Sequence, residues 1–278
     1  MTVIVTDSTS DIPPALAKAL DIHIIPLQVN FGSESFADGV ELTSEQFYGK
    51  LEASQALPTT SQPSVGAFEE LYRKVGGKDQ PIVSVHISSK LSGTIRSAQQ
   101  AVELLPDQEI HVVDAEHTTM ALGWIAILAA RAAKAGKGAD EIAAMVAGLP
   151  KRTFLYAALD TLRYLEKGGR IGKTRALLGT MLNVKPIIHV SNGEVMPFEQ
   201  VRTKKKAHAR LLDVAREIGP FEELCVLHGR AEEDAKAFAQ QLSDVHPAEK
   251  IVIAEIGSVV GVHVGPGCIG ITGIRKSS

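Results

Sequence analysis

"HISSKLSGTIRSA", residues 86–98, lies between an apolar run, "PIVSVHI", and a mixed one, "RSAQQAVELL". The first reads as a buried strand and the second as a helix, so the joint is a strand–loop–helix unit. The loop carries Ser88, Ser89, Ser92, Gly93 and Thr94. Hydroxyls beside the free N–H groups of a helix start make a ready anion site. The G-x-x-x-x-G-K-[ST] spacing of a P-loop is absent, so a nucleotide phosphate is not the indicated guest.

On the N-terminal side, "TVIVTD" reads as a strand and "PPALAKAL" as a helix, with Asp11 as its N-cap and prolines in its first turn. "IHIIPLQVNF" reads as one second strand. The helix "LTSEQFYGKLEAS" has Thr43 or Ser44 at its cap, with Glu45 and Gln46 near enough for a capping box. "SVGAFEELYRKVGG" is a further helix. After the opening unit come the strand "EIHVVD" and two Ala-rich helices at about 118–135 and 139–148. Apolar strands without strict alternation predict a parallel sheet covered on both faces.

Past residue 150 the character changes. "TFLYAAL", "KPIIHV", "EVMPFEQ", "ELCVLHG", "KIVIAEIG" and "GCIGITGI" read as strands, with helices near 161–168, 173–182, 203–218 and 231–243. Asn192-Gly193 is a hairpin signal, which implies a mixed sheet. The expectation is an α/β protein of two domains, 1–150 and 151–278.

A chain of 278 residues with a net charge of −3 offers no general nucleic-acid surface. Cys225 and Cys268 sit in apolar runs and read as buried thiols of a reducing compartment. The N-terminus lacks a signal-peptide pattern. "MALGWIAILAA" stops at Arg131, short of the ~18 apolar residues of a spanning helix. A cytoplasmic protein without an integral membrane segment is expected.

Two further hydroxyl-rich loops, "TDSTSD" and "PTTSQPS", resemble the first. Each alone is explained as a helix cap; two converging on one crevice make a site. Arg170 follows Gly168-Gly169 at a helix joint, and Arg202 precedes the run Lys204 to Lys206, which fits a solvated helix face. His263, among apolar residues, fits a satisfied core histidine. Asp7, Asp38 and Asp114 are not paired by spacing, no G-x-S-x-G is present, and no Cys/His cluster has metal-ligand spacing.

Taken together and in order, "TDSTSDI", "IPLQVNFG", "FADGVELT", "TTSQPS", "ISSKLSGT", "VVDA", "YLEKGGRIGK", "LNVKPIIHVSNGEV", "VRTKKKA" and "HVGPG" resemble the DegV family over about residues 3–274. That family includes the fatty-acid-carrying subunits of bacterial fatty acid kinase. The resemblance implies an N-terminal α/β/α domain with a parallel sheet and a C-terminal two-layer domain with a mixed six-stranded sheet. It implies a long-chain fatty acid such as palmitate or oleate in a deep apolar pocket between domains, and no cofactor or metal. The carboxylate would meet Thr60 and Ser92, with Ser61 as the neighbour if the pattern is offset, and His263 close to the head group. Arg170 and Arg202 would serve the ATP-dependent kinase partner and the phosphorylation step. Ala115 stands where the family often has Ser, a departure that bears on acyl preference. "LLGTMLNV" and "TMALGWIAIL" are candidate pocket lining.

On this reading the protein is a carrier and not an enzyme, with transient membrane contact open to it. The alternatives are a stand-alone enzyme acting on acyl or phosphate substrates through His263 and Arg170, and a transcriptional regulator. The latter rests only on the lysine run.

Overall fold

A computed structural model describes residues 1–54, 56–77, 80–177 and 184–277. In chain order its strands are Val3–Asp7 (β1), Ile22–Ile25 (β2), Gln28–Phe31 (β3), Glu34–Ala37 (β4), Thr59–Ser61 (β5), Ile82–His86 (β6), Ile110–Asp114 (β7), Thr153–Ala158 (β8), Lys185–Ser191 (β9), Glu194–Val201 (β10), Phe221–His228 (β11), Val252–Glu255 (β12) and Ile269–Arg275 (β13). Its α-helices are Pro14–Leu20 (α1), Ser44–Ala53 (α2), Val65–Val75 (α3), Thr94–Glu103 (α4), Thr119–Lys134 (α5), Ala139–Gly148 (α6), Arg163–Lys167 (α7), Lys204–Ile218 (α8), Glu232–Gln240 (α9) and Ser258–Val264 (α10).

Strands β2-β1-β6-β7 form a parallel sheet in that order. Side chains alternate across it. Val5 and Ile82 pack with Phe68, Tyr72 and Ala98 of α3 and α4, while Ile4, Val83 and Val85 face α5. Helices cover both faces, as expected. The second sheet is mixed and six-stranded, ordered β10-β9-β8-β13-β11-β12. Phe154, Leu224 and Val226 point to α8 and α9; Leu155, Cys225 and Leu227 point back toward α5. Thus α5 is packed between the two sheets. Its sequence is apolar all round as far as Arg131, that of a helix with no solvent face until its last turn, where Arg131 and Lys134 are exposed. No helix among the described residues is long and apolar enough to cross a membrane.

Several elements depart from the sequence reading. "IHIIPLQVNF" is two strands: it breaks at Pro26, β2 pairs with β1, and β3 joins β4 and β5 in a separate antiparallel sheet. Proline has no N–H to donate to a central ladder. Asp11 does not cap α1, whose N-cap is Pro13; it sits at φ 47 and accepts from Gly257 N at 3.0 Å. "SVVGVHV", which the sequence reading left unassigned, is helical, as α10, despite its β-branched content. The helix expected over 173–182 is a 3-10 turn at Gly172–Leu177, and its remainder lies outside the described residues.

Other signals held. Thr43 forms the capping box with Gln46: Thr43 Oγ1 accepts from Gln46 N at 3.3 Å and Gln46 Oε1 from Thr43 N at 3.0 Å. The Asn192-Gly193 turn joins β9 to β10 with both residues at positive φ, 49° and 76°. It docks on the loop after β6, where Ser88 Oγ donates to Gly193 O at 2.8 Å and Lys90 Nζ to Asn192 O at 2.8 Å. Both cysteines are free and buried.

The close seat of α5 gives a paired test. A Cβ on Gly123 would lie 2.6 Å from Ser10 O, whereas one on Gly49, on the exposed face of α2, meets nothing within 4 Å. Gly123→Ala is expected to destabilise by about 1–3 kcal/mol through overpacking, and Gly49→Ala to stabilise by up to about 1 kcal/mol. Denaturant midpoints check both; equal shifts would contradict the placement of α5.

Candidate functional site

In a parallel sheet, ligands gather beyond the carboxyl ends of the strands. A cavity of about 350 Å³ lies there, its wall including Leu27 after β2, Ile87, Leu91 and Ser92 after β6, and Thr118 and Thr119 after β7. The mixed sheet closes it with Leu155, Ala157, Ile188, Val190 and Leu227, and α10 adds Val259, Val260 and His263. The interior is mostly apolar, and the polar groups cluster.

Thr60 lies on β5, not at a loop-to-helix joint as the sequence suggested. It pairs with the fully buried Val29 and shares its inward face, so the flanking Thr59 and Ser61 point outward. Thr60 Oγ1 sits 3.1 Å from His263 Nε2. Ser61 is exposed, and its Oγ accepts from Asn30 Nδ2 at 3.5 Å. Ser92 precedes α4; its Oγ lies 2.9 Å from Thr94 Oγ1 and accepts from Thr94 N at 3.3 Å. Either hydroxyl can donate in the first contact, and when Thr94 does so the Ser92 proton is free for a guest.

Arg170 reaches the same rim. Its Nε donates to Leu91 O at 3.1 Å and its Nη1 to Gly168 O at 2.9 Å, tying the end of α7 to the Ser92 loop. Burial and then the Arg170 guanidinium push the His263 imidazole down to about 4, so it is neutral at pH 7. Its Nδ1 is buried against Gly168 without a protein partner.

The structure therefore brings Thr60, Ser61, Ser92, His263 and Arg170 to one cavity. Arg202 is not among its lining residues; it is exposed at the end of β10. The "TDSTSD" loop also lies elsewhere: Ser8, Ser10 and Asp11 face a separate cleft with Asp38, Glu45 and Glu255. The convergence is instead between the loop after β6 and β5. "TMALGWIAIL" lines the cavity only through Thr119, its remainder being core. Of "LLGTMLNV", residues 178–183 lie outside the described residues.

Sequence reasoning missed Gln62, whose Nε2 donates to Ser97 Oγ at 3.1 Å, and Thr118 and Thr119. The threonine pair at a helix start was the visible signal, and it was not singled out. Asp7 is paired after all, with His86 at 3.0 Å, but Ser84, His86 and Asp7 are fully buried and offer no nucleophile. Glu109, His111 and Asp140 converge at the opposite, amino end of β7 as a surface cluster.

The family model described as "Uncharacterised protein, DegV family" matches residues 1–276. The chain belongs to the DegV family. Protein DegV of Bacillus subtilis is 36% identical over 272 residues, covering 96% of this chain and 97% of its own. A DegV family protein from Thermus thermophilus, described by its fatty acid binding, superposes with a TM-score of 0.91 at 32% identity over 99% of both chains. DegV from Bacillus subtilis, described as a fatty acid binding protein, does so with a TM-score of 0.88 at 34% identity over 99% of both chains. The two-domain DegV fold, with its parallel and mixed six-stranded sheets, is the fold of this chain.

Gly168 holds the histidine in place sterically. A Cβ there would fall 2.1 Å from His263 Nδ1. Gly168→Ala is expected to push the ring off Thr60 toward water. By NMR the wild-type imidazole should then titrate near 4 and the variant closer to 6.5. Identical midpoints would contradict the packing.

Proposed function

We propose that this protein binds a long-chain fatty acid in the cavity, its carboxylate at Thr60, Ser92 and His263, and presents that carboxylate to an ATP-dependent fatty acid kinase subunit. The observation that carries the reading is the Thr60–His263 contact in a cavity whose wall is mostly apolar. Hydroxyl donors hold a carboxylate without a contacting cation to neutralise it, so it keeps nucleophilic character for a phosphoryl donor. The tail supplies affinity: about 14 methylenes at ~0.8 kcal/mol each give roughly 11 kcal/mol before ordering costs. Palmitate and oleate are the guests of that length. Fatty acid binding by the two solved relatives supports the choice of ligand.

The chemistry belongs to the partner, and the protein acts as a cytoplasmic carrier that collects its guest by transient membrane contact. Arg170 keeps an exposed guanidinium at the rim and Arg202 an exposed one on the second sheet; we assign both to the kinase step. The halves 1–150 and 151–278 are the two domains: every strand of the parallel sheet precedes that division and every strand of the mixed sheet follows it. The stand-alone enzyme through His263 and Arg170 has less support: His263 Nδ1 has no protein partner to orient the ring for acid–base work, and the Ser84–His86–Asp7 array is sealed from substrate.

Removing a hydroxyl from the head-group site costs one charge-assisted hydrogen bond, about 1.5–3 kcal/mol. Thr60→Val and Ser92→Ala should each weaken palmitate binding accordingly in calorimetry, while palmitate methyl ester is little affected. Wild-type affinity for the acid in both variants would remove the carboxylate from this place.

Arg170→Ala should separate binding from transfer. Fatty acid affinity stays close to wild type, and acyl-phosphate formation with kinase and ATP is lost. Undiminished phosphorylation would refute the partner role; lost lipid binding would make Arg170 a ligand of the carboxylate instead.

A further inference from the structure

Two hydroxyls in the same cavity serve no protein group. Thr118 and Thr119 line it, are 8% and 3% exposed, and neither Oγ1 has a protein hydrogen-bond partner. Thr60 and Ser92 are only half-buried and Ser61 is exposed, so the threonine pair is the more buried of the two sets.

Thr118 occupies the N-cap position of α5, where a threonine hydroxyl ordinarily accepts from an N–H of the first turn. Here it makes no such bond. Thr119 follows at φ 52, a left-handed conformation that is an outlier for a β-branched residue. Glu116, shortly before, is also left-handed, at φ 50. Such backbone persists where its surroundings impose it, and it gathers at ligand sites. The product is a helix start without a side-chain cap and with two free hydroxyls, beside a wall of Leu155, Ala157 and Leu227. A methylene there leaves buried donors unanswered, which is unfavourable. An oxygen answers them, and a helix N-terminus favours an acceptor.

We propose that Thr118 and Thr119 form a second polar subsite, and that the preferred guest is a long-chain fatty acid carrying a hydroxyl or keto oxygen along its chain. This rests on the fatty-acid reading and adds the class of acid.

The test titrates delipidated protein with octadecanoic acid and with hydroxy- and keto-octadecanoic acids substituted at successive carbons. One or a few neighbouring positions should bind about five- to tenfold tighter than the plain acid, the effect of one added buried hydrogen bond. Thr118→Val with Thr119→Val keeps the shape and the β-branching but removes the hydroxyls. In that variant the ratio of affinities should fall to one or below, and Thr118→Ser with Thr119→Ser should retain the preference. Plain acid bound more tightly than every substituted one, or a preference that survives both valines, overturns the subsite alone. If no acid of either kind binds, the fatty-acid reading itself falls.

Discussion

The Asp7 carboxylate is buried, and satisfying it sets where the loop after β6 begins. Oδ1 accepts from Thr9 N at 3.0 Å and from Thr9 Oγ1; Oδ2 accepts from Ile87 N at 2.9 Å and from His86 Nδ1 at 3.0 Å. His86 Nε2 in turn meets Ser84 Oγ at 2.6 Å, and Tyr72 Oη donates to that oxygen at 2.8 Å. A buried charge stripped of partners costs several kcal/mol, so the chain is held to the one geometry that supplies them. That geometry locks the end of β1 to the end of β6. The loop from Ile87 to Gly93 leaves β6 in a fixed direction, carrying Ser88 to the hairpin of the second sheet and Ser92 to the cavity.

The second sheet's contribution enters through α10, a short helix anchored at its start by the first half of the chain. Gly257 N donates to Asp11, and Tyr48 Oη donates to Ile256 O at 3.2 Å. Burial, then the neighbouring Asp38, pushes the Asp11 carboxyl well above its usual range. Asp38 is likewise raised by burial, against the pull of N–H groups at Ser258 and Val259. Two carboxyls from distant loops thus meet the positive end of α10. His263, near its other end, arrives beside Thr60 as a consequence. The Thr60–His263 contact joins residues from the two halves of the chain, and neither half alone contains it.

Much of this was legible in the sequence where the signal is local. The capping box at Thr43, the hairpin at Asn192-Gly193, the six strands of the second half and the largely apolar α5 follow from spacing and side-chain chemistry. What was not legible depends on contacts distant in sequence. Thr60 and His263 are 203 residues apart, and only the ordered family motifs joined them. "SVVGVHV" favours strand by composition, yet it packs as a helix against Leu42, Phe47 and Tyr48. β3 was merged with β2 because Pro26 divides one apolar run between two sheets, and β4 and β5 are too short to show an alternating pattern. The roles of Thr118 and Thr119 were hidden because hydroxyls at a helix start usually cap it.

Native mass spectrometry of the purified protein, followed by extraction and identification of whatever is released, tests the central claim most directly. The account predicts a mass above that of the bare chain by one long-chain fatty acid. It also predicts that a delipidated sample regains that increment when palmitate or oleate is added. A bare mass in both conditions would contradict it.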